Sequence, residues 1–182
     1  ELRRDGLPTC LSVNISAVDL LETDLYQTVL RALEKHQGCP GDLRLEMTET
    51  SVISDPEKVS EVVACLAGMG VECSIDDFGV GFSSMSYLRQ FAVSEIKIDR
   101  SFVSDVLEEE AHYAIVRAVI ALAHELNMTV VAEGPEDDET VKALMELGCD
   151  RIQGYVFSRP IPLKDFYETR TRLLRLDNRL EA

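Results

Sequence analysis

Ile75-Asp76-Asp77-Phe78-Gly79-Val80-Gly81-Phe82-Ser83-Ser84 places two adjacent carboxylates at the end of an apolar strand, with a glycine-rich loop directly after them. Side-by-side acids in a half-buried place repel each other unless a cation or a proton offsets the charge. The loop has glycines at alternate positions and ends in Ser83-Ser84, good N-cap residues for a new helix. The stretch reads as strand, acidic site, turn and helix start, the order of a βα active-site loop.

The same alternation extends outward in both directions. Upstream, Cys10 to Ile15 reads as a strand, about Asp24 to His36 as a helix with Leu25, Val29, Leu30 and Leu33 on one face, and Leu43 to Met47 as a strand. Asp55-Pro56 opens a helix whose stripe is Val59, Val62, Val63 and Leu66, and Gly68 and Gly70 close it. Val71 to Ile75 is then the third strand and Ser84 to Arg89 a short helix. Downstream, strands are predicted at Glu95 to Ile98, Met128 to Ala132 and Arg151 to Val156. Helices are predicted at about Glu108 to Leu126, Asp137 to Leu147 and from Pro162 through Phe166, Leu173 and Leu174. Six βα units imply a parallel sheet covered by helices, in one domain over residues 1–182. Both an open doubly wound sheet and a (β/α) barrel meet that description. The glycine fingerprints of nucleotide-binding open sheets are absent, and a full barrel needs eight strands and ~250 residues.

Composition narrows the partners. The 182 residues are 46% hydrophobic and 28% charged, ordinary for a globular protein, and no apolar run approaches the ~20 residues of a membrane span. The net charge of −15 argues against binding duplex nucleic acid, which draws on Lys and Arg at phosphates. No signal-peptide pattern opens the chain, and without an initiator Met it is expected to be a trimmed piece. Five cysteines, at 10, 39, 65, 73 and 149, include no Cys-x-x-Cys pair, which fits a reducing cytoplasm better than a disulfide or zinc framework.

In parallel α/β folds the active site lies at the C-terminal ends of the strands. Those ends carry Asn14, Glu46 and Glu49, Asp76 and Asp77, Lys97 and Asp99, Glu133 and Gln153. Taken singly, each reads equally well as a polar loop residue, and Asp76-Asp77 as a solvated turn. In succession they form an oxygen-rich set suited to Mg²⁺ or Mn²⁺. No histidine stands at a strand end; His36, His112 and His124 fall on helices and read as surface groups. Lys97, between Ile96 and Ile98, faces the opposite side from those neighbours, the interior in a barrel. The chemistry these residues suggest is metal-assisted hydrolysis of a phosphodiester.

Asn14-Ile15-Ser16, Glu46-Met47-Thr48-Glu49, Asp76-Asp77-Phe78-Gly79-x-Gly81, Lys97-Ile98-Asp99, Ala132-Glu133-Gly134 and Gln153-Gly154-Tyr155 resemble, in order and spacing, the successive motifs of the EAL domain. The resemblance implies a modified TIM barrel of the α/β class, here about six βα units with the first strands missing, the C-terminal three-quarters of one domain. It implies hydrolysis of cyclic di-GMP to linear pGpG with two Mg²⁺ or Mn²⁺ ions. By it, Asn14, Glu46, Asp76, Asp77 and Glu133 hold metal, with Asp76 bridging. Lys97, Glu133, Asp77 and Gln153 serve catalysis, Asn14, Asp76, Lys97 and Gln153 touch substrate, and Glu49 with Gly79 and Gly81 steadies the loop. It also implies homodimerisation near the glycine loop, fusion to sensory or cyclase-like domains, a cytoplasmic location and no membrane contact by this domain.

The chain departs from the family pattern in three places. The Glu-Ala-Leu segment, whose Glu is a metal ligand, belongs upstream of Asn14 and is absent from these residues. The residues as they stand are therefore expected to have little activity and an unclosed sheet edge. Val80 stands where Thr is usual, and Pro135 where Val is usual. A catalytically degenerate receptor that binds cyclic di-GMP is the alternative reading.

Overall fold

The computed structural model describes residues 10–22, 24–81, 88–166 and 168–169. Six strands, β1 (Leu11–Ile15), β2 (Leu43–Thr48), β3 (Glu72–Phe78), β4 (Glu95–Ile98), β5 (Thr129–Glu133) and β6 (Arg151–Gln153), form one sheet. The strands pair in sequence order and every pair is parallel. A doubly wound sheet reverses its strand order at a switch point; this one never does, so it curls in one direction as a half-barrel. Among the described residues β1 and β6 are its two edges.

The helices cover the outer face. They are α1 (Ala17–Glu22), α2 (Leu25–His36), α3 (Glu49–Ser54), α4 (Pro56–Met69), α5 (Arg100–Val103), α6 (Glu110–Glu125) and α7 (Asp138–Glu146). In α4, Asp55 accepts a hydrogen bond from the Lys58 amide, Pro56 occupies the first turn, and Gly70 ends the helix at φ +91°. Its stripe of Val59, Val63 and Leu66 is fully buried, each side chain contributing about 1.5–3 kcal/mol. It packs in one core with the outward residues of the central strands, Leu45, Met47, Cys73, Ile75, Ile96, Ile98, Val130 and Ala132. Period-two alternation then turns the residues between them, Arg44, Glu46, Ser74, Asp76, Glu95, Lys97, Val131 and Glu133, to the concave face.

The observed elements refine the expected ones at particular places. β3 runs on to Phe78 rather than stopping at Ile75, because its pairing with β4 resumes at Phe78–Ile98 after an irregularity. β6 ends at Gln153, well short of Val156, where the chain turns at Gly154. Short helices α1, α3 and α5 follow β1, β2 and β4 where loops were expected. Residues 163–166 and 168–169 are helical, as Pro162 predicts. Most of the helix expected at Ser84 to Arg89, and Leu173 and Leu174, lie outside the described residues. No described helix is long and apolar enough to cross a membrane.

Candidate active site

β4 is buried along its whole length, with Ile96 and Ile98 pointing to the helices and Lys97 to the concave face. That leaves the Lys97 ammonium in the interior, where it needs partners. It has three, each from a different strand: Glu46 Oε2 of β2 at 2.7 Å, Asp76 Oδ1 of β3 at 3.0 Å and Glu133 Oε1 of β5 at 2.7 Å. Burial alone favours a neutral amine, but hydrogen bonds to Glu133 and Glu46 outweigh it and hold the Lys97 pKa above its ordinary value. Glu133 does not respond symmetrically. Burial pushes its carboxyl up, Lys97 opposes this, and the nearby Asp76 and Glu46 charges add to the rise.

Asp77 joins the cluster through a backbone irregularity. In a regular strand it would face away from Asp76. The register shift between Ile75 and Phe78, with Asp77 at φ 55°, turns it back, and its amide donates to Asp76 Oδ1 at 3.1 Å. Such bulges re-aim side chains beside functional sites. Carboxylate oxygens of Asp76, Asp77 and Glu133 lie within 4.8 Å of one another. Burial raises the Asp77 pKa, and the Asp76 and Asp99 charges raise it further. The cluster thus holds four carboxylates and one ammonium. An all-oxygen set with excess negative charge, partly shielded from water, fits a hard divalent cation.

Asn14 stands beside Glu46 in register on β1, and Gln153 beside Glu133 on β6, both on the exposed rim. Among the described residues, neither side chain hydrogen-bonds to the cluster. Glu49, buried at the start of α3, accepts from the amides of Gly79 at 2.9 Å and Gly81 at 3.3 Å. Both glycines are sterically required. A Cβ at Gly81 would lie 2.6 Å from Glu49 Oε1, and one at Gly79, at φ +102°, would lie 2.9 Å from Phe102. Val80 between them is 63% exposed and touches none of the carboxylates by hydrogen bond or charge. Pro135 packs against Gly154, where any Cβ would lie 2.3 Å from the Pro135 carbonyl oxygen, and that oxygen accepts from the Val156 amide.

A groove of about 600 Å³ opens beside Glu133 and Gln153, lined also by Arg100, Tyr155, Arg159 and Phe166. The Arg159 guanidinium stacks over the Tyr155 ring at 4.5 Å. Reading strand ends does not find this wall, because Tyr155 to Phe166 follow the last strand; Arg100, two residues beyond Ile98, was within reach of that reading. His112, expected on the surface, is half-buried with its ring edge-on to Phe102 at 5.5 Å.

The EAL domain family model matches residues 1–160. MucR of Pseudomonas aeruginosa, a bifunctional diguanylate cyclase/cyclic di-GMP phosphodiesterase, is 40% identical over 152 residues, 84% of this chain and 22% of that protein. The solved PaMucR phosphodiesterase in complex with c-di-GMP superposes with a TM-score of 0.83 at 38% identity, over 86% of this chain and 64% of that one. Klebsiella pneumoniae BlrP1 in a manganese/cyclic di-GMP complex at pH 6 superposes at 0.78 and 33% identity, over 84% and 39%. The chain spans about a fifth of the length of the first curated relatives it matches, 22%, 20% and 22%. With most of its length matched, the chain belongs to the EAL domain family.

Proposed function

We propose that this chain is the EAL domain of a bacterial signalling enzyme that hydrolyses cyclic di-GMP to linear pGpG. The observation that carries the proposal is the cluster of Glu46, Asp76, Asp77 and Glu133 around Lys97 at the strand ends. The ligand-bound relatives with the same fold support the choice of substrate.

Asn14, Glu46, Asp76, Asp77 and Glu133 offer the oxygens to hold two Mg²⁺ or Mn²⁺ ions. Ions so held polarise a phosphoryl oxygen and lower the pKa of a water. Lys97 fixes the rotamers of three of these carboxylates and presents positive charge where a phosphodiester gains negative charge. Asn14 and Gln153 contact substrate from the rim, and the groove bounded by Arg100 and Tyr155 takes part of its body. Glu49, through Gly79 and Gly81, holds the loop after Asp77 still. Residues 1–182 act as a single domain in the cytoplasm, joined to sensory or cyclase-like domains and paired as a homodimer.

The test is chromatography of the products that the full-length protein carrying residues 1–182 makes from cyclic di-GMP. Appearance of pGpG with Mg²⁺ or Mn²⁺, and its disappearance with EDTA, is the expected result. Binding of cyclic di-GMP with no pGpG under either metal selects the receptor, and neither binding nor turnover contradicts both readings.

A further inference from the structure

Below the site lies a second ionic layer of opposite sign. Glu95, two residues before Lys97 on β4 and on the same face, is 1% exposed. Its Oε1 forms an ion pair with Arg44 Nη1 of β2 at 2.8 Å, and its Oε2 accepts from Arg151 Nη1 of β6 at 2.6 Å. Thr129 Oγ1 of β5 donates to the same Oε2 at 3.4 Å, and Arg44 also pairs with Glu72 of β3. In the upper layer a cation is ringed by anions; in the lower one an anion is held between two cations.

Each member of the chord sits one inward position below a residue of the site: Arg44 below Glu46, Glu95 below Lys97, Arg151 below Gln153. On a strand that is a rise of about 6.6 Å on a stiff backbone. Backbone pairing joins each strand only to its neighbours. β2 and β6 are four strands apart, about 19 Å on a flat sheet. Two arginines from those strands meet on one buried carboxylate of β4, which lies two strands, about 10 Å, from each. On the same concave face Glu46, Asp76 and Glu133 meet at Lys97.

We propose that the Arg44–Glu95–Arg151 chord is a positioning device, which sets the curl of the half-barrel and thereby the mutual placement of the carboxylates and Lys97 one layer above. The three residues touch neither substrate nor metal and act through Glu46, Lys97 and Gln153. The kcat part of the test rests on the phosphodiesterase reading, whereas the Mn²⁺ part does not.

A merely structural buried ion pair can be replaced by apolar residues of similar volume without loss, often with a gain in stability. A positioning chord cannot, because apolar contact is not directional. The experiment compares Arg44→Met/Glu95→Leu, Arg151→Met and Arg151→Lys with the wild type in the full-length protein. It measures melting temperature, Mn²⁺ affinity by electron paramagnetic resonance, and kcat and KM for cyclic di-GMP. The double variant is expected to melt at or above the wild-type temperature, yet to lose about tenfold or more in Mn²⁺ affinity and in kcat, with KM little changed. Arg151→Met, at a half-exposed side chain that folding tolerates, shows a smaller loss in the same direction, and Arg151→Lys recovers most of it. A folded double variant with Mn²⁺ affinity and kcat within about twofold of wild type overturns the proposal. Should that variant fail to fold, Arg151→Met within the same limits overturns it. A wild type that binds Mn²⁺ without hydrolysis removes the phosphodiesterase reading and leaves the chord to be judged on Mn²⁺ affinity. A wild type without Mn²⁺ affinity removes both.

Discussion

At Lys97 one ammonium faces Glu46, Asp76 and Glu133 from inside the sheet, so removing it affects folding and chemistry together. Lys97→Met leaves the three carboxylates uncompensated, at a cost of about 3–5 kcal/mol in calorimetry without metal. It is expected to lower kcat on the order of 10²–10³-fold. Added Mn²⁺ should restore more stability to this variant than to the wild type, since the same oxygens are left with excess charge. Glu49 acts at one remove, through two amides. Glu49→Gln weakens charge-assisted bonds to Gly79 and Gly81, costing about 1.5–3 kcal/mol. Hydrogen exchange should quicken at those two amides, and unchanged exchange there would remove Glu49 from the loop's support. Sequence alone places Lys97 inside, because Ile96 and Ile98 must face the core. It also puts Asp77 beside Asp76 at a strand end, but alternation would send the two side chains apart, and only the irregular register brings Asp77 back.

Among the elements, α7 shows how a cap links stability to pH. Asp137 accepts from the Thr140 amide and hydroxyl, and these bonds hold its carboxyl below the ordinary value of 3.8. Asp150 is buried enough to raise its pKa, but His124 and the Val130 amide more than reverse this and leave it lowered too. A carboxyl lowered by folding contributes stability that is complete above its unfolded pKa and is lost as pH falls through the folded one. Melting temperature should therefore be flat near neutrality and fall below about pH 4. Asp137→Asn keeps a good cap without the titration and should show a shallower acid slope, measured by circular dichroism. Equal slopes would contradict the assignment. Of the long helices, α2 and α4 were legible from their stripes, with Asp55-Pro56 opening α4, whereas Asp137, expected as the first residue of α7, caps it instead. Helices α1, α3 and α5, of four to six residues, were not legible, since so short a segment carries no readable period.

At the scale of the whole molecule, strand–helix alternation was enough to give six parallel strands but left the winding open. The sequential strand order decides for the curled sheet, whose concave face carries the polar residues that alternate with apolar ones along β2 and β4. The groove wall after β6 was not legible, because it depends on a turn in which Pro135 lies against Gly154 and not on any strand end. The two ionic layers were half legible: the upper as a run of strand-end acids, the lower not at all, since nothing in the spacing of Arg44 and Arg151 points to their meeting at Glu95. We propose that the sheet gathers these carboxylates into a divalent-metal site for cutting a cyclic dinucleotide. The most direct measurement is the rate of pGpG formation with Mn²⁺ by the full-length protein, alongside its Mn²⁺ affinity, in the wild type and in Asp76→Asn. Asp76→Asn is expected to fold, lose Mn²⁺ affinity and slow pGpG formation by at least about 100-fold. A folded Asp76→Asn protein that binds Mn²⁺ and releases pGpG at the wild-type rate would contradict it.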